Sequence, residues 1–110
     1  MTLNEYQELA ARTINPKLMP HQNEFHALTG LVAEVGELHE IYQKDLQGHK
    51  FNEEHFLKEC GDILWMLSEL LTAKGYTLDK VARMNIDKLR ARYPDGFDTE
   101  HSLHRKVNDV

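Results

Sequence analysis

The residues best suited to chemistry in this chain are two pairs of carboxylates that share one short pattern. The pattern, Glu-x-Gly-acid, occurs as EVGE at residues 34–37 and as ECGD at residues 59–62. Residues three apart on a helix project from the same face, so each motif would present its two carboxylates together. Two antiparallel helices could therefore bring all four carboxylates to one place.

Such an arrangement needs compensation, because like charges at this spacing repel. A glycine inside a helix also costs about 1 kcal/mol relative to alanine. A divalent cation would relieve the repulsion, and the two glycines would let a helix or a ligand approach closely. The sequence therefore predicts a metal site with four ligands: Glu34, Glu37, Glu59 and Asp62.

The types of ligand indicate which metal the site would take. Carboxylate oxygens without histidines at matching spacing suit Mg²⁺ or Mn²⁺ better than zinc. Di-iron bundles use Glu-x-x-His repeats, which this chain lacks. The competing interpretation is a set of solvated acidic pairs, since 18 acidic residues in a helical chain produce pairs such as Glu5/Glu8 by chance. Two copies of one motif at the centres of long apolar helices favour the metal.

A second group of polar residues, Asn85, Lys88 and Arg92, overlaps the apolar stripe of a later helix. An unpaired buried charge is unfavourable, so the two cations need anionic partners. They either extend to solvent, pair with the acidic helices, or contact the phosphates of a metal-bound substrate. Trp65 lies away from the apolar stripe of its own helix, so we expect it in a subunit interface or stacked on a ligand ring.

Composition limits the class of protein. With 110 residues, of which 41% are hydrophobic and 28% charged, the chain is expected to form one globular domain rather than a disordered segment. No apolar run approaches the roughly 20 residues of a membrane span, and no signal segment opens the chain, so we expect a cytoplasmic protein without membrane contact. The single cysteine, Cys60, has no partner for an internal disulfide.

Charge is divided unevenly along the chain. Residues 1–73 carry 5 basic and 12 acidic side chains, whereas residues 74–110 carry 8 and 6. The net charge of −5 argues against a nucleic acid polymer as partner, because the protein would repel its phosphates. The same division suits a metal held by the acidic part and phosphate contacts made by the basic part.

The elements that must position these residues are helices, because apolar residues recur at spacings of three and four and no segment alternates with a period of two. We predict a short first helix from a Thr2/Glu5 capping box to about Thr13, a second from about Asn23 to Asp45, a third that ends at Gly75, and a fourth between Thr77 and Pro94. The expected fold is all-α: an antiparallel bundle of three main helices and a short N-terminal one, completed by oligomerisation.

We predict two regions in the chain. Residues 1–97 form the helical domain, and residues 98–110 form a polar tail without apolar periodicity. We expect that tail to be either disordered or ordered only against a partner subunit.

The chain resembles the MazG-like nucleotide pyrophosphohydrolase family over most of residues 2–97. The resemblance rests on the two acidic pairs, on ILW at residues 63–65 after the second pair, and on NIDKLRARYP at residues 85–94. It implies an all-α homo-oligomer, either a homodimer or a homotetramer. It also implies Mg²⁺-dependent hydrolysis of a (deoxy)nucleoside triphosphate to a nucleoside monophosphate and pyrophosphate.

The resemblance further implies roles for individual residues. The four carboxylates would be metal ligands, and Glu34 or Glu37 would orient the attacking water. The polar residues of the fourth helix would contact phosphate or sugar. The chain has His26-Ala27 where relatives often have Asn-Ala, and Met66 where some have an aromatic residue, so base preference stays open.

Two other functions compete with this interpretation. Phosphoribosyl-ATP pyrophosphohydrolase belongs to the same superfamily. A non-catalytic helical module, with the acidic pairs on a structural cation or in solvent, belongs to another class. The doubled acidic motif and the inward-facing Lys88 and Arg92 favour an enzyme, because a scaffold needs neither.

Overall fold

The computed structural model describes all 110 residues and contains five helices and no strand. The helices are α1 (Leu3–Ala11), α2 (Pro20–Leu46), α3 (Glu53–Lys74), α4 (Leu78–Arg92) and α5 (Thr99–Leu103). This confirms the all-α prediction. The chain divides into two compact units, Met1–Thr77 and Leu78–Val110. None of the five helices is both long and apolar enough to span a membrane.

Local sequence signals explain where the helices begin and end. The Thr2 hydroxyl accepts a hydrogen bond from the Glu5 amide at 3.1 Å, and the Glu5 carboxylate accepts one from the Thr2 amide, so α1 begins with the predicted capping box. α1 ends at Ala11, slightly before the expected end. α2 begins at Pro20, earlier than predicted, because a proline in the first helical turn lacks only a donor that the helix leaves unpaired. Gly75 ends α3 with a left-handed φ of 80°, as predicted.

The first unit is built on an antiparallel hairpin of α2 and α3. The rings of Tyr42, Phe51 and Phe56 pack together at the turn, with centroids 5.2 to 6.2 Å apart. At the opposite end, the Lys74 ammonium lies 3.5 Å from the Glu24 carboxylate. These contacts hold both ends of the two helices together, so residues midway along α2 face residues midway along α3.

α1 is attached to α3 by a buried amide. The side-chain nitrogen of Gln7 donates to the Thr72 hydroxyl and to the Tyr76 carbonyl, both at 3.0 Å. Because the Gln7 side chain is buried, its polar atoms need such partners. α1 therefore lies against the C-terminal half of α3.

α2 and α3 pack closely at Gly30. A Cβ atom there would overlap the side chain of Met66, so the absent side chain makes room for the thioether. The two motif glycines, Gly36 and Gly61, have no protein atom of this chain near the place of a Cβ. We expected a helix or a ligand to approach these two glycines closely, and no helix of the same chain does so.

α2 carries two apolar stripes, and the chain covers one of them. The inner stripe contains Ala27, Leu31, Leu38 and Ile41, all buried or half-buried against the rest of the unit. The outer stripe contains Phe25, Leu28, Val32 and Val35, all exposed. Phe25 is 73% exposed and Val32 76%. Four large apolar side chains in one row on a surface are typical of a face that packs against another protein surface.

The second unit contains α4, α5 and the C-terminal segment. The Asp98 side chain accepts hydrogen bonds from the amides of Glu100 and His101 and so caps α5. Near the end of the chain, Asp109 forms an ion pair with Arg92 of α4. In this structure the C-terminal segment therefore contains a short helix and contacts α4 of the same chain. The Asp98 cap and the ion pair between Asp109 and Arg92 are among the contacts of a segment that has no apolar repeat.

Candidate functional site

Three of the four predicted carboxylates meet on the α2–α3 hairpin. One carboxylate oxygen each from Glu34, Glu59 and Asp62 lies within 4.8 Å of the others. Glu59 is buried, Glu34 is half-buried and Asp62 is exposed, so the cluster has a closed side and an open side. Helical geometry explains the set: α3 contributes residues three apart, and α2 faces them with Glu34. We call these three residues the acidic cluster.

Glu37, the fourth predicted ligand, lies at the edge of the acidic cluster and is not one of its three members. Its side chain is exposed. The nearby Glu59 carboxylate repels its negative charge and raises the pKa of Glu37. The structure therefore brings Glu37 next to the cluster while leaving it accessible to solvent.

Some carboxylate oxygens of the acidic cluster are buried without a positively charged or hydrogen-bonding partner. One carboxylate oxygen of Glu34 and one of Glu59 are buried without a hydrogen-bond partner. Burial and the neighbouring carboxylates of Glu59, Glu37 and Asp62 raise the pKa of Glu34 to about 7. On the other side, His55 Nε2 lies 3.2 Å from the second oxygen of Glu59.

These features fit a divalent cation. Buried carboxylate oxygens are unfavourable unless they are paired or coordinate a metal. A set made only of carboxylates is a hard oxygen donor set, which suits Mg²⁺ or Mn²⁺. A cation between the three carboxylates would satisfy the two orphaned oxygens and would offset the burial and the repulsion that raise the pKa of Glu34.

Trp65 lies within the first unit, in contact with residues of its own chain. Its indole nitrogen donates to the Thr13 hydroxyl at 2.7 Å, and its ring meets that of His26 edge-on, with centroids 6.4 Å apart. His26 Nδ1 in turn lies 2.7 Å from the Glu69 carboxylate, which is only 1% exposed. The indole remains half-buried, so part of it is accessible.

Sequence reasoning missed the pairing of His26 with Glu69. The two residues lie 43 positions apart, so no local spacing connects them. One signal was present: Glu69 follows Asp62 by two helical turns, which puts it on the same side of α3 and among leucines. A charged residue in that position requires a partner.

The three polar residues of α4 line one cavity in the second unit. Asn85, Lys88 and Arg92 face a space of about 670 Å³ that the C-terminal segment closes on its other side. Asn85 and Lys88 are exposed, and Arg92 is half-buried. The structure thus brings these three residues together, while the carboxylates of the acidic cluster belong to the first unit.

Arg92 already has an anionic partner in this structure. Its Nε and Nη2 atoms donate to the two carboxylate oxygens of Asp109 at 2.7 and 2.6 Å. The two side chains are 10% and 13% exposed. Pairing raises the pKa of Arg92 and lowers that of Asp109. A phosphate that contacted this guanidinium would have to displace Asp109.

Comparison with known proteins gave one match. The family model of the MazG nucleotide pyrophosphohydrolase domain matches residues 22–97. That stretch includes the acidic cluster, Glu37 and the three polar residues of α4. The match confirms the resemblance inferred from the motifs. Searches of curated proteins and of solved structures found no match to the chain.

Replacing Glu34 by glutamine should stabilise the metal-free protein at alkaline pH. Because the pKa of Glu34 is raised from 4.5 to about 7, the wild type loses stability as the pH rises through that interval. We expect the Glu34→Gln variant to exceed the wild type by about 1–2 kcal/mol near pH 8 and to match it near pH 4.

Urea denaturation with a chelator present at both pH values measures this difference. Glu8→Gln, at an exposed position of α1, is the matched control and should show no such dependence. Equal stabilities of the Glu34 variant and the wild type at both pH values would contradict the raised pKa.

Replacing Asp109 by asparagine should release the C-terminal segment. The Arg92 guanidinium lowers the pKa of Asp109 from 3.8, so the ion pair persists at neutral pH and is lost only in acid. Hydrogen–deuterium exchange at neutral pH should therefore rise in residues 99–110 of the variant and stay unchanged in α3. Asp87→Asn, at an exposed position of α4, serves as the control. Unchanged exchange in Asp109→Asn would show that other contacts hold the segment.

Proposed function

The chain belongs to the family of MazG nucleotide pyrophosphohydrolase domains, and we propose that it hydrolyses a (deoxy)nucleoside triphosphate to a nucleoside monophosphate and pyrophosphate. The observation that carries the proposal is the acidic cluster, with two buried oxygens that lack partners and with an accessible carboxylate beside it. A hairpin that served only as a scaffold would gain nothing from these unfavourable groups.

The proposed cofactor is Mg²⁺, with Mn²⁺ as a substitute. Glu34, Glu59 and Asp62 would hold the cation, and Glu37 at the edge would complete the set of ligands or face the reacting water. When bound, the cation would supply positive charge to the phosphates and make water at the cluster easier to deprotonate. The half-buried position of Glu34 and the buried position of Glu59 keep these carboxylates in place.

Glu37 is the residue that we propose for proton uptake. It is exposed and adjoins the cluster, so a water molecule can reach both. Its raised pKa makes it a better base than an ordinary carboxylate near neutral pH. In the reaction, the water oxygen bonds to the α- or the β-phosphorus and its proton passes to Glu37. The P–O bond between these two phosphates breaks, which gives the nucleoside monophosphate and pyrophosphate.

The remaining predicted contacts are part of the same proposal. Asn85, Lys88 and Arg92 share one cavity wall and would bind phosphate or sugar, with Arg92 exchanging Asp109 for a substrate oxygen. Trp65 would contact the base, since its half-buried indole beside His26 offers an aromatic face.

We also propose that the protein works as a homodimer or homotetramer. Within the chain, the only buried apolar residues are Ala27, Ile41 and Leu78. The outer stripe of α2 is exposed along three helical turns, and Leu57 of α3 is 65% exposed. A second copy covering this stripe would bury the apolar surface that one chain leaves open.

The proposed reaction can be tested with a panel of ribo- and deoxynucleoside triphosphates, with and without Mg²⁺. We expect metal-dependent release of monophosphate and pyrophosphate. Glu37→Gln should lower turnover by about 100-fold or more while Mg²⁺ binding persists. Asp62→Asn should weaken Mg²⁺ binding and turnover together, because it removes a member of the cluster. Glu8→Gln should match the wild type.

The products separate the competing functions. Release of orthophosphate would mean that a different bond breaks and would contradict the proposal. Turnover of phosphoribosyl-ATP with none of any triphosphate would establish the alternative substrate. Metal binding without turnover of either class of compound would favour the non-catalytic module.

The proposed assembly predicts that Val32→Asp dissociates the oligomer, because the charge would be buried at the centre of the outer stripe. Light scattering after size exclusion should give a dimer or tetramer mass for the wild type and a smaller mass for the variant. Gln43→Asp, at an exposed polar position of the same helix, should leave the mass unchanged. A monomeric wild type would contradict the proposed assembly.

A further inference from the structure

A second cavity lies in the first unit, at the turn between α2 and α3. It has a volume of about 230 Å³. Basic side chains reach it from all three parts of the hairpin: Lys44 from the end of α2, His49 and Lys50 from the turn, and His55 from the first turn of α3. We call this space the turn cavity. None of its four basic residues belongs to the two acidic motifs or to the polar group of α4.

The two lysines of the turn cavity are available to a ligand. In the first unit, the lysines that form ion pairs are Lys58 and Lys74. Lys44 and Lys50 form none, although the carboxylates of Glu37 and Glu40 line the same cavity. Lysine ammonium groups that converge on a cavity without a protein partner are typical of an anion-binding site.

The turn cavity adjoins the acidic cluster. Glu37 lines the cavity and also lies beside Glu59. His55 lines the cavity as well, and its Nε2 atom lies 3.2 Å from a Glu59 oxygen. A ligand could therefore touch a cation held by the cluster and the basic side chains of the cavity at the same time.

The order of these groups along the hairpin matches the order of groups in a nucleoside triphosphate. Along α2, His26 precedes Glu34 by about 12 Å and Lys44 follows it by about 15 Å, at 1.5 Å per residue. Along α3 the order runs in reverse, with Trp65 on one side of the acidic cluster and His55 on the other. An aromatic pair, a metal site and a basic cavity thus follow one another along the hairpin.

We propose that the turn cavity binds the two terminal phosphates of the substrate and holds them as the pyrophosphate product. This inference rests on the proposed function. Lys44, Lys50 and His49 would donate to phosphate oxygens. Glu37 and Glu40 would repel a bare polyphosphate, so the cavity accepts phosphates that carry a divalent cation and discriminates against free pyrophosphate.

Calorimetric titration of the full-length protein with pyrophosphate tests this assignment without requiring turnover. We expect the wild type to bind pyrophosphate only when Mg²⁺ is present. The double variant Lys44→Met/Lys50→Met should bind magnesium pyrophosphate about tenfold or more weakly and should bind a nucleoside monophosphate as the wild type does. Lys58→Met, which removes an exposed lysine of α3 outside the cavity, is the matched control.

Two further readouts separate binding from folding. The thermal midpoint of the double variant should match that of the wild type, because both lysines are exposed. In the steady state, KM for the triphosphate should rise and inhibition by added pyrophosphate should weaken. A structural role for the lysines would instead lower the midpoint and weaken monophosphate binding equally.

The outcomes distinguish this inference from the proposed function. If triphosphates are hydrolysed but the double variant binds magnesium pyrophosphate like the wild type, the cavity assignment is wrong and the proposed function stands. If pyrophosphate binding depends on the two lysines but no triphosphate is hydrolysed, the cavity stands and the reaction is wrong. A wild type that does not bind magnesium pyrophosphate would overturn the assignment.

Discussion

The carboxylates of Glu34, Glu59 and Asp62 repel one another, and the α2–α3 hairpin must hold them together against that repulsion. The α2–α3 hairpin holds three carboxylate oxygens within 4.8 Å, and it leaves two buried oxygens without donors. Packing elsewhere must resist this repulsion, and it does so with an aromatic cluster at the turn and an ion pair at the opposite end. A bound cation would convert the repulsion into attraction. The hairpin therefore holds the three carboxylates in a place where a positive charge is needed and where the chain itself supplies none.

Aromatic, acidic and basic side chains occupy different positions along the length of the hairpin. An aromatic pair with a buried carboxylate lies on one side, and basic side chains around a small cavity lie on the other. One helical face thus presents apolar, acidic and basic groups in sequence. The outer stripe of α2 points another way and carries no charge. The helix therefore serves two purposes, because its 3.6-residue period keeps the functional face apart from the apolar face.

Much of this arrangement could be predicted from local spacing. The capping box of α1 and the glycine end of α3 follow from residues within one or two helical turns. The meeting of the two acidic motifs follows from their positions near the middle of two antiparallel helices. Spacing could not tell which carboxylates belong to the acidic cluster, since Glu34 and Glu37 project from the same side of α2 and the packing against α3 decides which of them meets Glu59 and Asp62. The pairs His26–Glu69 and Arg92–Asp109 were missed because each joins distant residues, and the second joins a segment without periodicity.

Diffraction from crystals grown with Mn²⁺ would show whether Glu34, Glu59 and Asp62 hold a divalent cation. Data collected at the manganese absorption edge locate the ion without any assumption about turnover or substrate. We expect an anomalous peak between the three carboxylates, within about 2–2.5 Å of an oxygen of each. A peak elsewhere, or no peak at saturating Mn²⁺, would contradict this metal site.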